Sequence, residues 1–184
     1  FKILDPMTKN NSKALTPKEF WRFAVENKKR LGIFSAVIDS WNYMRHDIEG
    51  FAREDKWLED TLSFRNELAE RSGLHFHTII HPTKARKDTN GQTLPPDMHS
   101  LKGGSEWGNN GKSIIVVDRD FESNTSDIII AKAKPNIVGI RGACSLSYDV
   151  KKGNYYEFVN GQKVNAQPLR VEQPNNTLMP NEEF

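Results

Sequence analysis

Cysteine is nearly absent from this chain: Cys144 is the only one among 184 residues. A lone thiol closes no internal disulfide, and no spacing resembles a zinc site. A reducing, cytoplasmic setting is therefore expected, with Cys144 as a small buried apolar residue. Nowhere do about 18 apolar residues run together, so no membrane-spanning helix is predicted, and the first residues lack the basic-then-apolar order of an export signal. The chain starts at Phe1 rather than methionine, which suggests a fragment or a processed chain. Charge of one sign is also lacking: 26 basic and 24 acidic side chains leave a net +2, and so small a total cannot identify a nucleic-acid binder. No internal repeat is present. Length and composition fit one compact domain with one core.

What the sequence does contain is an ordered set of helix and strand signals. Residues 1–4 are a short apolar run ending at Asp5-Pro6, read as a strand, and a polar loop follows through Leu15. Thr16-Pro17-Lys18-Glu19 joins an N-cap threonine, a proline at the first helical position and a glutamate at the third. A helix starts there, with Phe20, Phe23 and Ala24 as its apolar face and Gly32 as its stop. Residues 33–38 are nearly continuous Ile, Phe, Ala and Val, the pattern of a strand buried on both faces of a parallel sheet, and they end at Asp39. Over residues 49–72, Trp57, Leu58, Leu62, Phe64, Leu68 and Ala69 recur at helical spacings before Gly73. A second apolar strand, 74–80, ends at His81-Pro82.

Strand, long helix and strand make a right-handed crossover. Asp39 and His81 are therefore expected at the same carboxyl edge of two adjacent parallel strands, where open α/β sheets bind ligands. Residues 82–100 form a long basic loop, followed by a short helix over 104–110. Strands over 113–117, 127–132, 143–147 and 155–159, the last preceded by a turn at 151–154, move the second half toward antiparallel pairing. From Gln162 onward, prolines and many Asn and Gln read as a loosely attached tail.

Several of these residues suit chemistry. A carboxylate at a strand end, Asp39, is what an ATPase needs to orient Mg2+ through water while the metal bridges nucleotide phosphates; a plain turn cap has the same appearance. His81 can contact a γ-phosphate or an attacking water, or be satisfied by backbone. His75, His77 and His81 share strand parity and could ligate zinc or iron, yet Phe76 and Thr78-Ile79-Ile80 bring no carboxylate to them. Lys84, Arg86 and Lys87 can hold a nucleic-acid backbone or form a solvated basic loop. Lys132 and Lys134 stand at a strand end before Pro135 and the glycine-bearing turn 139–142. They can reach a neighbouring subunit's nucleotide or merely mark an edge strand.

In chain order these features are Ala36-Val-Ile-Asp39, His81-Pro82-Thr83-Lys84, Gly103-Gly-Ser-Glu106 leading into 113–119, Lys132-Ala-Lys134 with Gly142, and 155–158. The succession resembles the motifs of the RecA-like domain of DnaB-type and Twinkle-type hexameric replicative helicases, in particular phage- or bacteroidete-like primase-helicases whose sensor strand ends in His-Pro-x-Lys. It covers residues 1–159. The resemblance implies an α/β fold: a RecA-like three-layer sandwich with a mainly parallel sheet and an antiparallel C-terminal extension, incomplete at its N-terminal side. That partial domain would span 1–160, with a tail over 161–184.

The resemblance further implies ATP and Mg2+ as cofactors of the complete domain, with Asp39 as the Walker B aspartate and His81 as the polar sensor of the γ-phosphate. Lys84, Arg86 and Lys87 would belong to the surface that holds single-stranded DNA. Lys132 and Lys134 would be the cations that reach the neighbouring subunit's ATP in a homo-oligomeric, hexameric ring. The family commonly has arginine where this chain has Lys134, and an acidic residue where it has Lys112. No Gly-x-x-x-x-Gly-Lys-Ser/Thr occurs in the sequence, and the catalytic glutamate expected between that loop and Phe1 is also missing. These residues alone are not expected to hydrolyse ATP; the parent would be the DNA helicase. Two other classes stay open: a catalytically inactive RecA-like module that binds nucleic acid or a replication partner, and a His-based metal-dependent hydrolase.

Overall fold

The computed structural model describes residues 14–82, 86–91, 93–97, 100–135, 139–159 and 162–165. The strand expected over 1–4 and most of the expected tail lie outside these residues. Helix α1, Pro17–Leu31, begins as expected: the Thr16 side chain accepts from the Glu19 N–H and the Glu19 carboxylate accepts from the Thr16 N–H at 2.7 Å, a complete capping box. It stops at Gly32, which takes a left-handed conformation. Its buried stripe is Pro17, Trp21 and Ala24, positions i, i+4 and i+7 of one helical face. The expected apolar face is corrected accordingly, because Phe23 lies off that stripe and is 37% exposed.

Strand β1, Ser35–Asp39, leads into a 3-10 turn, Trp41–Tyr43, and helix α2 runs from Glu54 to Ser72 before a left-handed Gly73. The helix starts later than the expected residue 49 because Gly50 takes a positive φ of 89° and Arg53 is extended, so neither continues a helix. Strand β2, His75–Ile79, pairs in parallel with β1 from Ser35↔His75 to Asp39↔Ile79, as the crossover predicts. Burial on both faces is not what the structure shows. Ile38 is buried and Phe76 packs on the core, whereas Val37 and Ile79 on the opposite face are 47% and 42% exposed. One face rests on the helices; no described element covers the other.

The core on the covered face is aromatic. Trp21, Trp41, Trp57 and Trp107, all four tryptophans of the chain, join Ile38, Leu58 and Leu62, with Trp41 at the centre. The Trp41 ring meets Trp107 edge-on at 4.9 Å and lies 5.9 Å from Trp57 and 6.2 Å from Trp21. Trp107 comes from helix α3, Gly104–Asn110, which docks on α2. The Arg65 guanidinium and the Asn66 amide both donate to the Asn110 carbonyl, at 3.0 and 3.1 Å, and burial lowers the Arg65 pKa from its ordinary value. Gly103 permits the docking: its φ is +74°, and a Cβ there would stand 2.4 Å from Leu58 Cδ2.

Between β2 and α3 the long loop holds a small hairpin of β3, Arg86–Lys87, and β4, Thr93–Leu94. After α3 comes a five-stranded antiparallel sheet in chain order: β5 Ser113–Asp120, β6 Thr125–Ala133, β7 Gly142–Asp149, β8 Asn154–Val159 and β9 Gln162–Asn165. Gln162–Asn165, read from sequence as the start of the tail, is thus a strand paired with β8. Cys144 on β7 is exposed rather than buried, because it stands opposite Ile128 on a sheet face that the described residues leave open. Among the described residues no helix is long and apolar enough to cross a membrane.

Candidate functional site

Strand register brings the two candidate residues to one edge. Asp39 is the last residue of β1, opposite Ile79, and His81 follows two residues after Ile79. Both are exposed. The Asp39–Ser40 peptide is cis, and the chain then turns at once through Trp41, whose indole anchors the 3-10 turn in the core. The turn presents Asn42 to the end of β2. The Asn42 Oδ1 accepts from the His81 N–H at 2.9 Å, and its Nδ2 donates to the His81 carbonyl at 3.3 Å. One amide therefore satisfies both backbone groups of His81 and ties the two strand ends together.

A cavity of about 280 Å3 opens beside this clamp, lined by Trp41, Asn42, His46, Trp57, His81 and Trp107 among others. Asp39 does not line it, so the edge has two sides: His81 adjoins the indole cluster and Asp39 stands free of it. An exposed aspartate suits Mg2+, which is usually held through one or two carboxylates, phosphate oxygens and water rather than by a full protein cage. Among the described residues no three His, Cys, Asp or Glu side chains converge to hold a metal ion. The ligand set suggested by His75, His77 and His81 is thus not assembled.

A second, wider concavity of about 810 Å3 lies between α3 and the end of β6, and both Lys132 and Lys134 line it. The Lys132 ammonium donates to the Gly108 carbonyl of α3. Burial lowers its pKa, and the like charges of Lys134 and Lys112 lower it further. Lys134 is exposed beyond the strand end.

Solved structures share this arrangement of helices, parallel pair and antiparallel sheet. One solved ATPase domain superposes with a TM-score of 0.61 at 14% identity, over 77% of this chain and 51% of that one. A DnaB-like replicative helicase, solved together with its interactions with primase, gives 0.61 at 15% identity over 79% of this chain and 35% of that one. The chain shares the fold of these two solved structures. This RecA-like chain spans about half or less of the length of the solved chains it matches. No family profile matches the sequence, and no curated protein matches it.

Of the residues singled out from sequence, Asp39 and His81 share the sheet edge, and Lys132 and Lys134 share the second concavity. Lys87 is exposed on β3, opposite Thr93. Arg86 is described in its backbone alone, and Lys84 lies outside the described residues. Sequence reasoning missed two residues that the structure places here. Asn42 carried a faint signal, three residues past Asp39 in Asp-Ser-Trp-Asn, and Arg141 was visible as the one charged residue inside the turn 139–142.

Proposed function

We propose that this chain is the distal part of an ATP-dependent replicative helicase motor that translocates on single-stranded DNA. The observation that carries the reading is the shared carboxyl edge of β1 and β2, with Asp39 and His81 at adjacent strand ends, in a fold of the DnaB-like ATPase type. In the complete domain Asp39 would hold Mg2+, which when bound supplies charge neutralisation between nucleotide phosphates. His81, fixed by Asn42, would sense the γ-phosphate and pass its state to the loop beyond it. Lys84, Arg86 and Lys87 in that loop would hold the DNA backbone, giving salt-dependent, sequence-independent binding. Lys132 and Lys134 would face the nucleotide of a neighbouring copy in a hexameric ring working in the cytoplasm. The phosphate loop would come from outside these 184 residues, so this chain alone would not turn over ATP.

The test is a polypeptide extended to include a phosphate loop. It should show DNA-stimulated ATP hydrolysis, and Asp39→Ala should abolish turnover while leaving the fold intact. Unchanged turnover in that variant would reject the assignment. Salt-sensitive oligonucleotide binding with no ATPase activity would instead favour a non-catalytic module.

A further inference from the structure

The cavity beside the Asn42 clamp has a chemistry opposite to that of a phosphate site. Among the described residues it is lined by two carboxylates, Glu54 and Asp55, against one ammonium, Lys102, and by no arginine. That ammonium is ion-paired with Glu54 at 2.6 Å. Asp55 is held from outside the lining by Arg53, whose Nε donates to it at 2.9 Å. Three indoles, Trp41, Trp57 and Trp107, form walls together with the aliphatic side chains of Leu58 and Ile80. The ring planes do not run parallel: Trp107 stands at 89° to Trp41, and Trp57 at 45°. A flat base needs a parallel face to stack on, whereas a compact cation is attracted by electron-rich faces that meet at angles. Each of the three indoles is 6% exposed or less, so only a slender group reaches them.

We propose that this cavity takes the ammonium of a lysine side chain presented by a partner protein. A lysine has an apolar stem and a charged head, which match Leu58 and Ile80 beside indoles and carboxylates. The volume of about 280 Å3 falls just below the range of drug-sized pockets and suits one long side chain. Away from bulk water the indoles attract a cation more strongly than they would at an open surface. Lys102 competes from within the chain: its largely exposed ammonium occupies Glu54, so an arriving lysine shares that carboxylate or displaces the resident one. A polyanion such as DNA meets the same two carboxylates and is repelled. The inference does not rest on the motor reading; of the described residues that reading uses, only His81 lines the cavity.

The chemical shifts of the four indole N–H groups test it in the intact chain, with Nα-acetyl-lysine methylamide as titrant and the norleucine counterpart as its uncharged match, at constant ionic strength. The lysine amide should shift the signals of Trp41, Trp57 and Trp107 saturably and move Trp21, which does not line the cavity, least. The norleucine amide should bind at least about tenfold more weakly, the effect of losing one desolvated cation–π contact. Two substitutions should then act in opposite directions. Glu54→Gln should weaken lysine-amide binding by about two- to fivefold, and Lys102→Gln, which frees Glu54, should strengthen it by a similar factor. Circular dichroism of Lys102→Gln should match the parent, because that side chain is 70% exposed. The proposal is overturned if the lysine amide shifts no indole signal, if Trp21 moves as much as the other three, if the norleucine amide binds as tightly, or if Lys102→Gln fails to strengthen binding.

Discussion

The two halves of the molecule treat apolar side chains differently. Every buried hydrophobic residue among those described lies between Pro17 and Trp107, on α1, β1, the 3-10 turn, α2, α3 or the joint before β2. Among the described side chains the five-stranded sheet that follows contributes one that is fully buried, Ser126, while Ile115 and Val117 on β5 and Phe121 in the turn after it are 62%, 59% and 74% exposed. Its order rests on the hydrogen-bond ladder and on surface pairs: Tyr148 and Tyr155 lie 4.9 Å apart on adjacent strands, and Arg119 stacks over Phe121 and Tyr148 at 4.8 Å. The first half is held by a core. The second is held by pairing, and it presents an apolar face.

A pair of truncations should separate the halves most sharply. Leu62 is fully buried, so Leu62→Ala should lower the unfolding free energy by about 2–5 kcal/mol through lost transfer energy and the cavity left behind. Ile115→Ala removes a side chain that is 62% exposed and should cost less than about 1 kcal/mol. Urea unfolding of both variants measures the ratio. Equal losses would mean that the sheet face is covered in solution, and the contrast would fail.

Gly103 tests the docking of α3 on α2 within the first half. Gly103→Ala combines a left-handed backbone with a methyl group that would stand 2.4 Å from Leu58 Cδ2, itself 4% exposed. Strain and repacking should cost about 1–3 kcal/mol, read as a lower melting temperature. An unchanged melting temperature would show that Leu58 turns aside freely and that α3 is loosely docked.

How much of this was legible beforehand follows from the range of each signal. Helix α1 was readable at its start because Thr16, Pro17 and Glu19 act within one turn, and Gly32 and Gly73 mark stops through their own backbone conformation. The parallel pair and the shared edge of Asp39 and His81 were readable because a strand, helix, strand order has one usual handedness. Burial was less legible. Trp21 rather than Phe23 faces inward because α2 and the 3-10 turn lie on that side, and Val37 is exposed because no described element covers its face. Asn42 escaped notice because its bonds cross 39 residues to a backbone, leaving no local pattern. Arg141, which lines the second concavity, escaped because that concavity arises only when α3 and the end of β6 meet.

The smallest expected effect on stability comes from Cys144, and it probes the exposed sheet most directly. Val117, Ile128 and Cys144 stand opposite one another across β5, β6 and β7, so the thiol shares a face with the apolar residues that set the second half apart. Cys144→Ser should change stability by no more than about 0.5 kcal/mol, because an exposed site loses little packing. In the native protein the thiol should react with a disulfide reagent as readily as after unfolding in urea, once reagent reactivity is corrected for. Protection that is independent of protein concentration would mean that the chain itself covers this face. Protection that grows with concentration would mean that a second copy does, and the difference between the halves would then belong to the isolated chain rather than to its assembly.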